Sequence, residues 1–164
     1  MRIDVAWDWT WSDGYLPEVR RILSQNALHL VGLSVATFHQ DVKEATDMLV
    51  TVGGSKGIAV RLRRAMYGYR DLTIRAFRSS GTQTELEKIK AGRGDFYLYG
   101  WTDGMRIPEW MLVDLQRLRQ SRLLDRQWRT IENTERMTGF IAIPYTALLS
   151  AGCLVNYCIT SAGR

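Results

Sequence analysis

Apolar and polar side chains alternate along the first part of the chain with a period of two, which is typical of a half-buried strand. The strand is predicted over residues 2 to 11. An isoleucine, a valine and three tryptophans share its apolar face: Ile3, Val5, Trp7, Trp9 and Trp11. These tryptophans either pack in the core or form a surface that stacks on bases or anchors a partner.

The pattern then changes to a helical period. From Leu16 onwards, apolar residues recur every three or four positions, and Pro17 stands where the first turn of a helix would be. An amphipathic helix is therefore predicted over residues 16 to 30.

Three short strands are predicted next. Two apolar runs cover residues 46–53 and 57–63, and the sequence "GGSKG" lies in the turn between them. A third run over residues 70–77 alternates again. A hairpin followed by a third strand is the expected structure.

The second half alternates helices with strands. The segment "SSGTQTELEKIKAG" predicts a loop and then a helix that Thr82 or Thr84 caps and Gly92 ends. Residues 95–101 predict an aromatic strand, and "RIPEWMLVDLQRLRQSRLL" predicts a short strand and a basic helix. The segments "TGFIAIPYTALLSAG" and "CLVNYCI" predict a strand, a short helix and a strand. Together these elements predict one α/β domain over residues 1–164, with helices packed on a mixed sheet.

Arginine carries most of the net charge of +5. Residues 61–78 contain six arginines and one acid, and residues 115–129 contain five arginines. Arginine donates two parallel hydrogen bonds to a phosphate or carboxylate, so these bands predict a surface for a polyanion or an acidic protein. The predicted binding residues are Arg61, Arg64, Arg70, Arg75, Arg78, Arg117 and Arg119.

Several other classes are disfavoured. Cys153 and Cys158 have no neighbouring Cys or His at the spacing of a zinc site, which indicates reduced thiols of a cytoplasmic protein. The chain has no apolar run of about 18 residues, so no transmembrane helix is expected. P-loop, Rossmann and Gly-x-Ser-x-Gly motifs are missing from the sequence.

Five segments, in order, resemble small phage and prophage proteins of the PD-(D/E)XK, or restriction-endonuclease-like, nuclease superfamily. They are "DVKEATDMLV", "IAVRLRR", "DLTIR", "SGTQTELEKIKAGRGDFYLYGW" and "WMLVDL". The resemblance implies an αβββαβ core, to which this chain adds an N-terminal strand and a C-terminal strand and helix. It also implies action in the cytoplasm of a host cell.

The resemblance implies a metal site built from carboxylates, where Mg²⁺ or Mn²⁺ would assist phosphodiester hydrolysis. Asp47 matches the first aspartate of the family, but Arg61 and Arg63 stand where the second acid and the lysine belong. Some family members move the second acid to the following helix, which here offers Glu85 with Lys88 on the same face. The predicted catalytic residues are Asp47, Glu85, Lys88 and Arg63. The predicted metal ligands are Asp47, Glu85 and Glu44.

Simpler interpretations of the same residues stay open. Asp47 could pair with Arg61 or Arg63 across the hairpin, and Glu85 with Lys88 could be an ordinary helical ion pair. The sequence therefore predicts a phage or prophage protein that engages nucleic acid, either as a metal-dependent nuclease or as a relative that has lost cleavage. The alternative is a non-catalytic inhibitor of a host defence complex, similar to an anti-CRISPR protein, that acts by binding protein.

Overall fold

A computed structural model describes residues 13–26, 33–35, 48–51, 55–65, 68–134 and 137–160. Its helices are α1 (Leu16–Asn26), α2 (Glu85–Lys90), α3 (Leu115–Gln120) and α4 (Tyr145–Ser150), and a 3₁₀ turn covers Leu123–Asp125. Its strands are β1 (Leu33–Val35), β2 (Met48–Thr51), β3 (Ser55–Arg64), β4 (Asp71–Arg78), β5 (Phe96–Thr102), β6 (Glu109–Asp114), β7 (Arg129–Asn133), β8 (Thr138–Pro144) and β9 (Leu154–Cys158).

The described strands form two sheets. The larger sheet has six strands in the order β1-β2-β3-β5-β6-β9, and the smaller has three in the order β4-β8-β7. In the larger sheet, β3 and β5 pair in parallel, whereas the other neighbours are antiparallel. The predicted α/β class with a mixed sheet is thus confirmed.

The larger sheet has two apolar faces because its strands alternate. On one face, Ile58 and Leu98 pack with Val19, Ile22 and Leu23 of α1. The opposite face contributes aromatic residues of β5 to a second cluster, which also contains residues of β4 and of the three short helices: Tyr97, Tyr99, Trp101, Ile74, Ile89, Leu118 and Leu148. Helix α1 therefore covers one face, and the smaller sheet and the short helices cover the other.

Most predicted elements are present within one or two residues of their predicted bounds. The hairpin β2–β3 forms as expected, and Thr84 caps α2 through a capping box with Glu87. Gly92 follows α2 with a positive φ of 88°, a conformation that favours glycine. The predicted strand at residues 2–11 and the end of the first predicted helix, residues 27–30, lie outside the described residues.

Two features differ from the prediction. The third predicted strand, β4, leaves the sheet of the hairpin and pairs with β8 in the smaller sheet. In addition, β1 and β7 were not predicted. Strand β7 is mostly exposed, so it lacks the apolar alternation that would have revealed it.

A buried ion pair fastens the start of β4 to the larger sheet. Arg70 is 8% exposed, and its Nε donates to Oε2 of Glu109 on β6 at 2.6 Å. Oε1 of Glu109 accepts from the backbone N–H and the hydroxyl of Thr160, at 2.8 and 3.0 Å. The Arg70 guanidinium also lies 5.1 Å from the ring centroid of Trp101. Arg70, a predicted binding residue, thus has its guanidinium committed to Glu109.

We expect Glu109→Gln to lower the free energy of unfolding by about 3–5 kcal/mol, because it leaves the charge of Arg70 buried without its counter-charge. Urea denaturation would measure this. The control is Arg129→Gln, which removes an Arg129–Asp71 pair of 2.8 Å whose arginine side chain is 51% exposed. That change should cost less than about 1 kcal/mol. Equal losses in the two variants would show that the buried pair has no special role.

Candidate anion-binding site

Arg61 and Arg63 lie on the same side of β3 because side chains alternate along a strand. An Nη atom of Arg63 donates to the hydroxyl of Thr73 on β4 at 2.7 Å, and that hydroxyl lies 2.7 Å from the hydroxyl of Tyr99. Nη1 of Arg61 lies 3.4 Å from the carbonyl oxygen of Thr73. Both arginines therefore point from the larger sheet towards the smaller one.

Glu85 lies at the start of α2 and meets Arg61 between the sheets. Its Oε2 lies 3.1 Å from Nη2 of Arg61 and accepts from the backbone N–H of Arg75 at 2.9 Å. Its Oε1 accepts a short hydrogen bond from the hydroxyl of Tyr97. Both carboxylate oxygens thus have partners, which come from β3, β4 and β5.

A recess of about 340 Å³, which we call the arginine cleft, opens beside this cluster. It lies at the end of the smaller sheet, and most of its lining is polar: Arg75, Arg78, Ser79, Ser80, Asn133, Thr138 and Phe140. The guanidinium of Arg75 lies 5.4 Å from the ring centroid of Phe140, and that of Arg61 lies 5.7 Å from the same centroid. Two arginines therefore share one aromatic ring at the wall of the cleft.

Arg75 has an unsatisfied donor. Its Nε is buried and has no hydrogen-bond partner among the described residues. Burial lowers the pKa of the Arg75 guanidinium, and the positive charges of Arg78 and Arg61 lower it further. The negative charge of Glu85 raises the pKa and offsets part of this decrease. Arginine nevertheless stays protonated in proteins. Arg75 is thus a partly desolvated cation near two others, which an anion would stabilise.

The phenols beside the cluster do not add negative charge. Burial raises the pKa of Tyr97 well above its usual value, and burial also raises the pKa of Tyr99. Both hydroxyls stay neutral near pH 7, so Tyr97 can donate to Glu85.

The structure brings only some of the predicted catalytic residues together. Glu85 is beside Arg61, and Arg63 is linked to the same region through Thr73. Lys88 lies one turn further along α2. Asp47 and Glu44 lie outside the described residues, so the predicted group of Asp47, Glu85 and Glu44 stays a prediction.

The described residues provide no cluster of metal ligands around Glu85. Across the described ranges, no group of three or more His, Cys, Asp or Glu residues could hold a metal ion. Mg²⁺ needs oxygen ligands, whereas the oxygens of Glu85 face a guanidinium and two hydrogen-bond donors. The charge of Arg61 would also repel a cation.

The other predicted binding arginines do not line the cleft. Arg64 is exposed at the end of β3. Arg117 is exposed and lies 3.4 Å from Asp114. Arg119 joins α3 to the end of α2, because its Nη1 lies 3.4 Å from the carbonyl oxygens of Ile89 and Gly94.

The sequence prediction missed the polar and aromatic partners of Arg75 and Arg78. Ser79 and Ser80 directly follow the arginine-rich strand in "RSSGT", which is a signal for a polar loop beside two cations. Phe140 and Thr138 come from a strand more than 60 residues away in the sequence. No local pattern could have joined them to Arg75.

No protein-family model matches the sequence, and comparison with curated proteins gave no match either. None of the described helices is long and apolar enough to cross a membrane.

Glu85→Ala tests whether Glu85 is a structural residue. The substitution leaves the hydroxyl of Tyr97 and the backbone N–H of Arg75 without their partner, and it removes the counter-charge of Arg61. We expect the free energy of unfolding to fall by about 1–3 kcal/mol, measured by urea denaturation. The control is Asp125→Ala, which removes an exposed pair with Lys90 (2.9 Å) and should cost less than about 1 kcal/mol.

The same experiment separates this role from metal binding. For a structural Glu85, the stability of the unaltered protein should be the same in Mg²⁺ and in chelator. A metal ligand would instead make the unaltered protein more stable in Mg²⁺ by mass action, and Glu85→Ala would abolish that gain. That second pattern would contradict the structural role.

Proposed function

We propose that the protein binds nucleic acid through its phosphates at the arginine cleft and does not cleave it. The observation that carries this proposal is the buried Nε of Arg75, a charged donor with no hydrogen-bond partner in the described residues, at a recess that Arg78 also lines. An unsatisfied buried donor is costly, and a phosphate against the part of Arg75 that lines the recess would stabilise its charge.

The chemistry of the lining fits a phosphate group. Arg75 and Arg78 supply planar donor forks, which match the geometry of phosphate oxygens. Ser79, Ser80 and Thr138 add hydroxyl donors at the same recess. Contacts of this kind position a nucleic acid without reading its sequence, so little sequence preference is expected from them.

The environment of Glu85 supports binding without hydrolysis. Arg61 stands at the position that the nuclease resemblance assigns to the second acid, and Glu85 pairs with it. A group that neutralises an arginine is a poor ligand for Mg²⁺ or Mn²⁺. We accordingly propose a protein of the PD-(D/E)XK type that has lost cleavage, encoded by a phage or prophage and acting in the host cytoplasm.

A protein inhibitor of a host defence complex is the competing function. An acidic protein surface could present carboxylates to the same arginines. The described tryptophans give this alternative little support, since Trp101 and Trp110 are buried and Trp128 is partly buried. An inhibitor would show strong binding to a defence complex and weak, non-competing binding to nucleic acid.

Arg75→Gln and Arg78→Gln should each weaken binding of a labelled oligonucleotide by about 5- to 30-fold, which corresponds to about 1–2 kcal/mol. Fluorescence anisotropy at several salt concentrations would measure this. Each variant should also reduce the slope of log K against the logarithm of the salt concentration by about 1, because one phosphate contact is lost. Arg126→Gln changes the net charge equally, but Arg126 does not line the cleft, so it should leave affinity within about twofold. Equal effects of all three variants would indicate non-specific charge attraction instead.

A cleavage assay tests the catalytic part separately. The protein and an Asp47→Ala variant would be incubated with single- and double-stranded DNA and RNA in Mg²⁺, in Mn²⁺ and in chelator. We expect no metal-dependent cleavage by either protein. Cleavage that needs metal and disappears in Asp47→Ala would show that Asp47 belongs to a working site, and the proposal of a non-catalytic protein would be wrong.

A further inference from the structure

The two arginines of the arginine cleft lie on one face of β4 because the strand is irregular between them. Arg75 pairs with Phe140 of β8 and Arg78 pairs with Thr138, so three steps along β4 correspond to two steps along β8. Phe140 and Thr138 share a face of β8, since side chains alternate along a strand. In a regular strand, residues three positions apart would point to opposite faces. The bulge therefore brings Arg75 and Arg78 to the same side of the smaller sheet.

The guanidinium groups of these two arginines interact. The positive charge of Arg78 lowers the pKa of Arg75, so the two charges are near enough to repel each other. The loop after β4 holds Arg78 in place: its Nη1 lies 3.4 Å from the hydroxyl oxygen of Thr82, which lies 2.9 Å from the hydroxyl oxygen of Ser80. Two cations held side by side would be stabilised best by an anion that carries more than one negative charge.

No carboxylate is among the described residues that line the cleft. They are two arginines, four residues with hydroxyl or amide groups and one phenylalanine. Glu85, the acid of the adjacent cluster, already pairs with Arg61 and accepts hydrogen bonds from the backbone N–H of Arg75 and the hydroxyl of Tyr97. The lining therefore favours a group that has two negative charges and several acceptor oxygens.

We infer that the arginine cleft takes the terminal phosphate of a nucleic-acid strand, with Arg75 and Arg78 bound to the same phosphate group. This inference rests on the proposed function and adds the part of the nucleic acid that is recognised. A terminal phosphate is a monoester, which carries about 1.5 to 2 negative charges near pH 7 and offers three acceptor oxygens. A phosphate within a strand is a diester with a single charge. The end of a strand thus matches the two arginines better than its interior does.

The size of the cleft agrees with one nucleotide at a strand end. Its volume of about 340 Å³ is near the lower limit for small-ligand sites, which have about 300–1,000 Å³. Arg75 and Arg78 face positions two apart on β8, roughly 7 Å along the strand, so their long side chains can reach one common group. The recess has room for a phosphate and the nucleotide attached to it, and it is small for a length of strand.

The test uses the full chain and fluorescence anisotropy with single strands of one sequence, each labelled at an internal base. One strand has a 5′-phosphate, one has a 3′-phosphate, and one has hydroxyls at both ends. At least one phosphorylated strand should bind about 5- to 30-fold more tightly than the hydroxyl-ended strand. Arg75→Gln and Arg78→Gln should each lower the affinity for that strand to near the affinity for the hydroxyl-ended strand.

A double-mutant cycle tests whether both arginines bind the same phosphate. The variant with both substitutions should weaken binding of the phosphorylated strand about as much as each single variant, because the two arginines act as a unit. Phe77→Ala is the control: Phe77 lies between the arginines on β4, but it pairs with Gly139 and so faces the other side of the smaller sheet. This variant should leave the preference for the phosphorylated strand within about twofold.

The melting temperature of each variant would be measured as well. Arg78 is only partly buried, so Arg78→Gln keeps the test valid if Arg75→Gln lowers the stability of the fold. Losses that multiply in the double variant would overturn the inference, since they would mean that the two arginines hold separate phosphates.

Equal binding of all three strands by the unaltered protein would also overturn the inference, and a loss with Arg75→Gln would then leave phosphate binding at the cleft intact. A nucleoside monophosphate is added as a competitor. If it bound as tightly as the phosphorylated strand, a free nucleotide would replace the strand end as the ligand, and the inference would be wrong. If Arg75→Gln changed the affinity for none of the strands, the proposed function itself would fail.

Discussion

The carboxylate of Glu85 is the point on which the inner arrangement of the protein depends. Glu85 belongs to α2, and its carboxylate forms an ion pair with Arg61 of β3. It also accepts hydrogen bonds from the backbone N–H of Arg75 on β4 and from the hydroxyl of Tyr97 on β5. One side chain thus connects the larger sheet, the smaller sheet and the helix between them. The capping box of Thr84 and Glu87 fixes the first turn of α2 and so holds Glu85 in place.

This interaction also determines which arginines are compensated. Glu85 pairs with Arg61, and Glu109 pairs with Arg70. The charge of Glu85 also raises the pKa of Arg75, but Nε of Arg75 has no hydrogen-bond partner in the described part of the chain. Within the described part of the chain, the buried side-chain donor that has no hydrogen-bond partner therefore belongs to a residue of the arginine cleft. The anion site is supported by this contrast between the unsatisfied Arg75 and the paired Arg61 and Arg70, and not by the number of arginines.

Much of the fold follows from local sequence. The hairpin β2–β3, the capped helix α2 and the sequence of strand, helix and strand at the end of the described chain were predicted because their periods and capping residues are local signals. The division into two sheets was not predicted, because β4 pairs with β8 over a separation of 60 or more residues and β7 has almost no buried face. Short-range patterns do not contain that pairing.

The site was predictable only in part for the same reason. The sequence indicated that Arg61, Arg75 and Arg78 belong to a basic region and that Glu85 could face Arg61 or a metal. It could not distinguish Arg70 from its neighbours, since the burial of Arg70 depends on Glu109, which lies 39 residues away. Nor could it join Phe140 and Asn133 to the cleft. Long-range contacts decide which of several similar side chains is free to bind.

The most direct test is to follow the arginine Nε–H resonances by ¹⁵N–¹H NMR while an unlabelled single-stranded oligonucleotide is added. Nε of Arg75 is buried and has no acceptor among the described residues, whereas Nε of Arg70 already donates to Glu109, so the second resonance is an internal control. A phosphate in the arginine cleft should shift the Arg75 resonance in a saturable way and leave that of Arg70 in place. Saturable binding with an unchanged Arg75 resonance would contradict the placement of the phosphate at this cleft.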